Sequence, residues 1–547
     1  MFVKAFRWHG GLVLWVAVFV VCAGRFWFLC DDAYISFRYS RNWAQGLGVV
    51  FNPGEVPPVE GYSNFLWVAG GAVLEGIGIP IEWALPLVSL LCGVGLLVRI
   101  DQVATQLGVS DEGRQVALAA FALCPAAAVW ATSGLATMPF AWAFFEWVVC
   151  LVVPSSSDVR WRALGIALLL ALLRIEGVAW VVVVAVIGGL TRPRASWMRW
   201  VAPVAVGVAL YALYTAWRVA WFGTWVPNTA LVKVELSQWT LLRGLKYLAG
   251  FGVVTVVPVL AWMAGLTLLK ERVWRVFVGV VAAVGAYGVV VGGDFMPFGR
   301  LFVPSLAFTS LLLGRLVSVV AAEVPLRRAM AQAFIALGAL PIAGLHPIPD
   351  AWLKGLHFRH SDKEFMQEFE RWANQRDNAI GFARRGRALK SIAKPGDSVV
   401  SGAVGAIGYV SGLEVLDQHG LVTKEVAYRP GPTGPLRTSP GHDKHVPASY
   451  FVKYAPRFLF SRTVSGPLAA GKMKDTLIQW GVPPRVQDRY VPDYWEVTAS
   501  NDDERTFLFA IRRCEDHEDP RVLWDGFAER RRTLNAELRD ERLTQAD

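Results

Sequence analysis

The feature that most constrains the fold is a series of apolar runs, each near the length of a membrane-spanning helix. Because the hydrocarbon core of a bilayer is about 30 Å thick, a spanning helix needs about 20 mostly apolar residues. By that rule the chain has about eleven candidate spans, which predict a polytopic α-helical membrane protein. They are 11–29, 80–98, 115–131, 136–153, 162–173, 177–190, 201–221, 249–269, 276–292, 301–320 and 329–345; the pair 162–173 and 177–190 is short and forms either two tight spans or one broken element.

The composition supports a membrane protein. Apolar residues make up 54% of the 547 positions and charged residues only 18%, whereas soluble proteins are less apolar and more charged. Much of the net charge of +10 comes from arginines that flank the apolar runs. Membrane lipid is therefore the expected partner, and no nucleic acid is needed to explain the positive charge. The six cysteines have no paired spacing, which argues against a disulfide framework or a zinc site.

Positive charges in the short loops predict the orientation, because Lys and Arg are retained on the cytoplasmic side of the membrane. With about eleven spans, five basic groups fall on one side. The N-terminus is therefore predicted to be cytoplasmic, and the first run an uncleaved span, since no small-residue cleavage site precedes Asp31. The groups are Lys4 and Arg7; Arg160 and Arg162; Arg192, Arg194 and Arg199; Lys270, Arg272 and Arg275; and Arg327 and Arg328.

Two domains are predicted, a transmembrane domain at 1–345 and an extracytoplasmic α/β domain at 346–547, where the charge rises and the long apolar runs stop. In the second domain, 362–392 has helical periodicity. The stretch 397–417 indicates a strand, a glycine-rich turn, a short helix and another strand, and 457–462 and 506–513 are further strand candidates. The turn GAVGAIG lacks the spacing of a dinucleotide-binding loop, so its glycines are predicted to serve turns and packing.

With this topology, the unusual polar motifs all fall at the outer face, whereas the inner loops hold mainly arginine and linker residues. This distribution favours one outward-facing functional site. The residues are Asp31, Asp32, Glu60, Tyr62 and Asn64 in the first outer loop, Thr132 and Ser133 in the second, Arg174 and Glu176 in the third, Trp225, Asn228 and Lys233 in the fourth, and Asp294 and Arg300 in the fifth.

The stretch DDAYISFRYSRNWAQG combines paired carboxylates with two arginines. Asp31 or Asp32 is expected to cap a helix that ends near Gly46. Arg38 and Arg41, three residues apart, would then share one helix face. Carboxylates can act as a general base, bind hydroxyl groups or bind a divalent metal, and arginine can hold a phosphate through two nitrogens. A lipid-linked phosphate would arrive at this depth of the membrane.

These motifs resemble those of the GT-C superfamily of membrane glycosyltransferases, which take a sugar from a polyprenyl-phosphate donor. The closer resemblance is to the branch of the mycobacterial terminal β-(1→2)-arabinofuranosyltransferase, and it spans nearly the whole chain. It rests on DDAYISFRYSRNWAQGLGVVFNPGE with VEGYSNFLW, on GGDFMPFGRLFVP, and on GYVSGLEVLDQHGLVT with PGHDKHVPASY. The expected architecture is a GT-C-like helical membrane domain followed by the α/β domain.

The resemblance implies that Asp31 or Asp32 is catalytic and either activates the acceptor hydroxyl or otherwise serves the anomeric centre, and the sequence does not say which. The candidates for the donor phosphate are Arg38, Arg41, Arg174, Arg300 and Lys233. The candidates for sugar or acceptor contact are Glu60, Tyr62, Asn64, Glu176, Asn228, Asp294, Asp417, His442 and His445.

Simpler structural roles stay open for several of these residues. Arg174 with Glu176, and Asp294 with Arg300, can form ion pairs that only hold loops together. His442 and His445 are three residues apart and can bind metal, although no further ligand set is evident. A divalent metal at the carboxylates is likewise left open.

The sequence therefore predicts an enzyme of the cytoplasmic membrane that moves a sugar, with arabinofuranose as a candidate, to an envelope glycan or glycolipid on the outer face. A transporter or flippase of a lipid-linked sugar is one alternative. It would need charged residues at mid-membrane depth and repeat symmetry between its halves, and neither is visible. A non-catalytic protein of envelope assembly is the other alternative.

Overall fold

The structure, a computed structural model, describes residues 10–153, 159–190, 201–233, 236–255, 271–320, 324–344, 366–432, 434, 436, 438–465, 484–497 and 505–546. Helices form the first part of the chain, and a small mixed sheet with flanking helices forms the last part. The fold therefore has the two kinds of structure that the sequence predicts. The predicted boundary between 345 and 346 lies next to residues 345–365, which are outside the described ranges.

The first part is built from helices of very different lengths. They are α1 (Gly10–Arg25), α2 (Asp31–Ala44), α3 (Phe65–Gly76), α4 (Ile81–Gln106), α5 (Asp111–Ala122), α6 (Pro125–Trp130), α7 (Thr137–Val152), α8 (Arg160–Leu173), α9 (Gly177–Leu190), α10 (Val201–Phe222), α11 (Asn228–Lys233), α12 (Gln238–Thr255), α13 (Arg272–Val290), α14 (Leu306–Val320) and α15 (Val324–Ile342), with a 3-10 segment at Pro297–Ser305.

Several described helices have the apolar character of membrane spans. Within the described ranges, four stretches are long and apolar enough to cross a membrane, namely α4, α10, α13 and the continuous stretch Pro297–Val319. Shorter apolar helices include α1, α3, α7 and most of α9. A helical membrane protein with several apolar helices is thus confirmed. The number of about eleven spans stays a prediction by the length rule.

Of four predicted spans, one is interrupted, two form separate helices, and one lies mostly outside the described residues. The run 115–131 is split into α5 and α6 at Cys124, because Pro125 has no N–H to continue the helix and instead begins a new one. The runs 162–173 and 177–190 form two separate helices, α8 and α9. Most of 249–269 lies in 256–270, outside the described residues.

The last part is the predicted α/β domain. Its strands β1 (Ser398–Ser401), β2 (Glu414–Asp417), β3 (Phe458–Ser465), β4 (Tyr490–Val497) and β5 (Thr506–Arg513) form one sheet in the order β2-β1-β3-β5-β4. The pairs β1–β2 and β1–β3 are parallel, and the pairs β3–β5 and β4–β5 are antiparallel. The helices are α16 (Glu368–Ile392), α17 (Gly405–Ser411), α18 (Lys424–Ala427), α19 (Pro484–Gln487) and α20 (Pro520–Ala546), with a 3-10 turn at Ala448–Tyr454. The sequence predicts four of these strands and misses β4.

The α/β domain packs directly against the membrane part. The Arg243 guanidinium in α12 forms a bidentate ion pair with Asp443, with N–O distances of 2.9 and 3.0 Å. The Asn52 side chain pairs with both backbone groups of Val415 in β2, at 3.0 Å each. The Arg371 side chain in α16 donates to the carbonyl of Phe295 at 2.7 Å. These contacts hold the α/β domain against the loops that carry the polar motifs.

Candidate active site

The helix α2 carries the paired aspartates in its first turn. Its N-cap is Cys30, and no side chain caps the helix. The predicted capping role of Asp31 or Asp32 is therefore wrong, because both are already helical. The helix ends at Ala44, and Gly46 follows with φ +79°, close to the predicted end. Cys30 is fixed from the second outer loop, where its N–H donates to the Ser133 carbonyl at 3.2 Å.

The Asp31 carboxylate is held by the α/β domain. One oxygen accepts the N–H of Ala406 at 2.8 Å, and the other accepts the N–H of Gly405 at 3.2 Å. A Cβ at Gly405 would lie 1.9 Å from the Asp31 carbonyl oxygen. Only glycine permits this approach, so the GAVGAIG glycines serve packing, as the sequence predicts.

Burial raises the pKa of Asp31 from its ordinary value to about 6. The neighbouring Asp32 charge raises it further, whereas the two backbone N–H groups and the Arg385 charge oppose the rise. The Asp31 carboxyl therefore titrates near neutral pH. A group of this kind can change its protonation state under physiological conditions.

Asp32 interacts with a different set of charges. It lies within electrostatic range of Arg300 and of Cys30. The Arg300 Nε donates to the Asp294 carboxylate at 2.6 Å, and both side chains are buried. The Arg300 guanidinium also lies 5.7 Å from the ring centre of Trp130. The first and fifth outer loops thus meet at this point, as the single-site hypothesis expects.

A small cavity lies between the third and fifth loops. Arg174, Glu176 and Arg300 line it together, with walls that include Phe140 and Trp180. The Arg174 Nε donates to the Glu176 carboxylate at 2.5 Å. Both ion pairs that the sequence left open as structural are therefore formed, and both have their arginine at the same cavity.

Arg38 has no place at this cavity. It is only 3% exposed, its Nε donates to the Phe51 carbonyl, and its Nη2 donates to the Leu413 carbonyl, each at 2.7 Å. The guanidinium also lies 4.3 Å from the Phe51 ring centre. These contacts join α2 to the α/β domain and favour a structural role for Arg38, while its phosphate-binding role stays a prediction.

Arg41 lies in a separate ionic cluster at the end of α2. Its guanidinium contacts the carboxylates of Glu75 at 3.2 Å and Glu82 at 3.3 Å. It stacks 3.6 Å from the ring centre of Tyr409 and is hydrogen bonded to the Tyr409 hydroxyl. Two carboxylates already balance this cation, which makes it a poor candidate for the donor phosphate. Arg38 and Arg41 share one helix face, as expected, since both side chains reach the segment 409–413.

The Glu60 carboxylate lies in a buried ion pair. Both of its oxygens accept from the Arg218 Nε at 2.9 Å. Burial nevertheless raises the pKa of Glu60 to about 7, against the lowering effect of Arg218. The N–H of Asn228 donates to the Glu60 carbonyl, and the Asn228 side chain donates to the Gly420 carbonyl. These residues connect the first and fourth outer loops to the α/β domain.

Tyr62 and Asn64 are also buried in the first outer loop. The Tyr62 ring packs 4.8 Å from the ring centre of Tyr39, and the Asn64 side chain is hydrogen bonded to Ser36 in α2 at 3.0 Å. Both residues therefore support the loop and α2. The Lys233 side chain lies outside the part of the chain that the structure describes, so its predicted role stays a prediction.

The polar residues of the α/β domain form a group of their own. The buried Asp417 carboxylate accepts the N–H groups of His419 and Val422 and so shapes the turn after β2. Ring centres of His442 and His445 lie 4.9 and 5.0 Å from that of His419. In the described ranges, no group of three or more His, Cys, Asp and Glu side chains is arranged to hold a metal ion.

Sequence reasoning missed the groups that reach the site from the α/β domain. Arg385, Gly405 and Ala406 lie more than 350 residues after Asp31 in the chain. The sequence features that could have drawn attention to these residues are the glycine at 405 and the basic stretch ARRGR in α16. Neither feature indicates that its contact is Asp31, far away in the chain. The partner of Glu60, Arg218, was missed because it lies inside an apolar run.

Comparison with known proteins gives matches to a family model, to a related enzyme and to solved structures. Residues 367–513 match a family model described as a domain of unknown function, DUF8728. The terminal β-(1→2)-arabinofuranosyltransferase of Mycobacterium tuberculosis is 30% identical over 289 residues. That match covers 47% of this chain and 44% of the relative, so the chain spans less than half of the relative's length.

The fold matches the crystal structures of ArnT from Cupriavidus metallidurans. The ArnT structure bound to undecaprenyl phosphate aligns with a TM-score of 0.55 and 12% identity, covering 91% of this chain and 98% of ArnT. The apo structure aligns with a TM-score of 0.52 and 14% identity, covering 92% of this chain and 98% of ArnT. The resemblance to GT-C proteins near the arabinofuranosyltransferase branch is confirmed, and this chain has the ArnT fold.

Proposed function

We propose that this chain, with its ArnT fold, is a membrane glycosyltransferase that uses a polyprenyl-phosphate sugar donor. The observation that carries the proposal is the shared cavity of Arg174 and Arg300, whose Arg300 interacts electrostatically with Asp32 of α2. Two cations, largely apolar walls and a nearby carboxylate suit a substrate with a phosphate, a lipid tail and a reacting sugar carbon.

The contacts of Arg174 and Arg300 suit both side chains to phosphate binding. In the contacts described, each ion pair is made through Nε, to Glu176 for Arg174 and to Asp294 for Arg300. The Nη nitrogens remain to donate to phosphate oxygens, and a guanidinium matches that geometry well. The carboxylate partners fix the arginine side chains before the donor binds, which lowers the entropy cost of binding.

The proposed reaction needs one base and one stabilised leaving group. A carboxylate of the Asp31–Asp32 pair takes the proton of the acceptor hydroxyl, and the hydroxyl oxygen bonds to the anomeric carbon of the sugar. The bond from that carbon to the phosphate oxygen breaks, and its electron pair leaves with the polyprenyl phosphate. Arg174 and Arg300 stabilise the charge that develops on this phosphate.

The substrate assignment follows the relatives. The similar mycobacterial enzyme is a terminal β-(1→2)-arabinofuranosyltransferase, so arabinofuranose is the proposed donor sugar and an envelope glycan or glycolipid the proposed acceptor. The undecaprenyl phosphate bound to ArnT supports a polyprenyl-phosphate partner. The proposed place is the cytoplasmic membrane, with the N-terminus inside and the α/β domain outside, as the basic loops predict.

The phosphate site is tested by transfer rate as a function of donor concentration in proteoliposomes. We expect Arg174→Gln and Arg300→Gln to raise the KM for the donor or lower kcat by about tenfold to a thousandfold, as for a lost charge-stabilising donor. Arg41→Gln is the control, because Arg41 is balanced by Glu75 and Glu82. Equal effects of all three variants, or none, would contradict the assignment; lipid-linked sugar crossing the bilayer without transfer would favour a flippase.

A further inference from the structure

The α/β domain contacts α2 at both ends and in the middle. Backbone groups of Gly405 and Ala406 hold Asp31 at the start. The Leu413 carbonyl accepts from Arg38 near the middle. The Tyr409 ring packs on Arg41 near the end. The helix that bears the paired aspartates is therefore placed by a domain that has no assigned activity of its own.

A cation from the same domain lies within electrostatic range of the Asp31 carboxylate. Arg385 in α16 interacts electrostatically with Asp31 and with Arg462 of β3. Its Nε is buried and has no hydrogen-bond partner among the described residues. Burial lowers the pKa of Arg385 to about 10, which leaves it charged at neutral pH. The α/β domain thus supplies two N–H donors and one positive charge to a single carboxylate.

Asp32 has different neighbours from Asp31. Successive residues of an α-helix point about 100° apart, so the Asp31 and Asp32 side chains point in different directions. Asp31 is bound by the α/β domain, whereas Asp32 is coupled to Arg300, which lines the proposed donor cavity. This separation gives the two adjacent carboxylates different functions.

We propose that the domain at 367–513 completes the active site by fixing Asp31, so that Asp31 is a positioning residue and Asp32 is the base. The inference rests on the proposed glycosyltransferase function and assigns its acid–base step. The domain of unknown function becomes part of the catalytic machinery, since it orients the helix turn that carries the base.

The rival assignment makes Asp31 the base. A carboxylate has about four lone-pair positions, so two accepted N–H groups do not by themselves prevent it from taking a proton. Its surroundings disfavour that role, because Gly405 approaches the Asp31 backbone too closely for any side chain. Little room is left on that side for an acceptor sugar.

The wild-type pH profile reports on Asp31 under either assignment, and the variants separate the two assignments. The charged and titratable groups around Asp31 are Asp32 on its own helix, Cys30 and Tyr34 beside it, and Arg385 from α16. Protonation of Asp31 near pH 6 weakens its bonds to the two N–H groups. Wild-type transfer is therefore expected to fall as the pH drops through about 6.

The decisive variants are Asp31→Asn and Asp32→Asn, compared by transfer rate from pH 5 to pH 8. Asp31→Asn keeps an oxygen for the Ala406 N–H, so we expect a loss of about tenfold or less and no inflection near pH 6. Asp32→Asn should lower kcat by about 10²–10⁴-fold. The reverse ranking overturns the inference alone. A wild type that transfers no sugar overturns the proposed function as well.

A second measurement does not depend on activity. Hydrogen–deuterium exchange at the amides of 405 and 406 should rise in Asp31→Ala and stay unchanged in Asp32→Ala. Unchanged exchange in Asp31→Ala would show that the carboxylate does not hold these amides, and would overturn the positioning role.

Glycine variants test the same contact from the side of the α/β domain. Gly405→Ala forces a Cβ into the Asp31 backbone and should lower kcat with little change in donor KM. Gly381→Ala in α16 is the control, because nothing lies within 4 Å of the added Cβ. Equal kcat in these two variants would contradict the proposal.

Discussion

Replacing Arg38 by methionine tests whether this arginine joins the two domains or binds substrate. Arg38 donates to the carbonyls of Phe51 and Leu413 at 2.7 Å each, and it is 3% exposed. Hydrogen bonds from a charged group contribute about 1.5–3 kcal/mol each to stability. Methionine fills most of the volume of the arginine side chain but leaves the carbonyls of Phe51 and Leu413 without this donor. We therefore expect Arg38→Met to lower the free energy of unfolding by about 3–6 kcal/mol.

The matched control is Arg41→Met, one turn further along the same helix. The Arg41 side chain is 33% exposed, and ion pairs of such exposure contribute about 0–1 kcal/mol. Denaturant unfolding in detergent, followed by tryptophan fluorescence, measures both variants. An Arg38→Met protein as stable as Arg41→Met, but with a raised donor KM, would refute the structural role and restore the phosphate-binding one.

Two further results are expected. Arg243→Met breaks the buried bidentate pair with Asp443 and should lower the free energy of unfolding by about 3–5 kcal/mol; a thermal unfolding midpoint equal to that of the wild type would contradict the pair's role. The Glu60 carboxyl has a pKa of about 7 instead of its ordinary 4.5, so the folded state binds this proton more tightly than the unfolded state. Its contribution to stability is complete below about pH 4.5 and is lost, by about 3 kcal/mol, as the pH rises through about 7. Glu60→Gln should remove this slope from denaturant unfolding measured between pH 5 and 8, and an unchanged slope would show that another group is responsible.

The helical part of the fold could be predicted because apolar runs report directly on burial in lipid. Run 115–131 was predicted as one span, since an apolar count does not register the break that Pro125 makes. The helix α3 was missed because its 12 residues fall below the length that a spanning helix needs. Length and apolarity alone therefore locate long spans better than short or broken ones.

The site could be predicted in part. Arg174, Glu176 and Arg300 come together in one cavity because all lie at the same predicted face of the membrane. The roles of Arg38 and Arg41 could not be separated from the sequence, since helical spacing gives their positions on α2 but not what packs against each face. The contact from Gly405 to Asp31 depends on how the α/β domain docks, and no local pattern encodes that.

The most direct test of the central claim is sugar transfer by the purified protein in proteoliposomes. The donors would be polyprenyl-phosphate sugars, with arabinofuranose among them, and the acceptor an envelope glycan extract. We predict transfer from one donor by the wild type and none by the double variant Asp31→Ala/Asp32→Ala. Transfer that survives the double variant, or a folded wild type that transfers no sugar from any donor, would contradict the account.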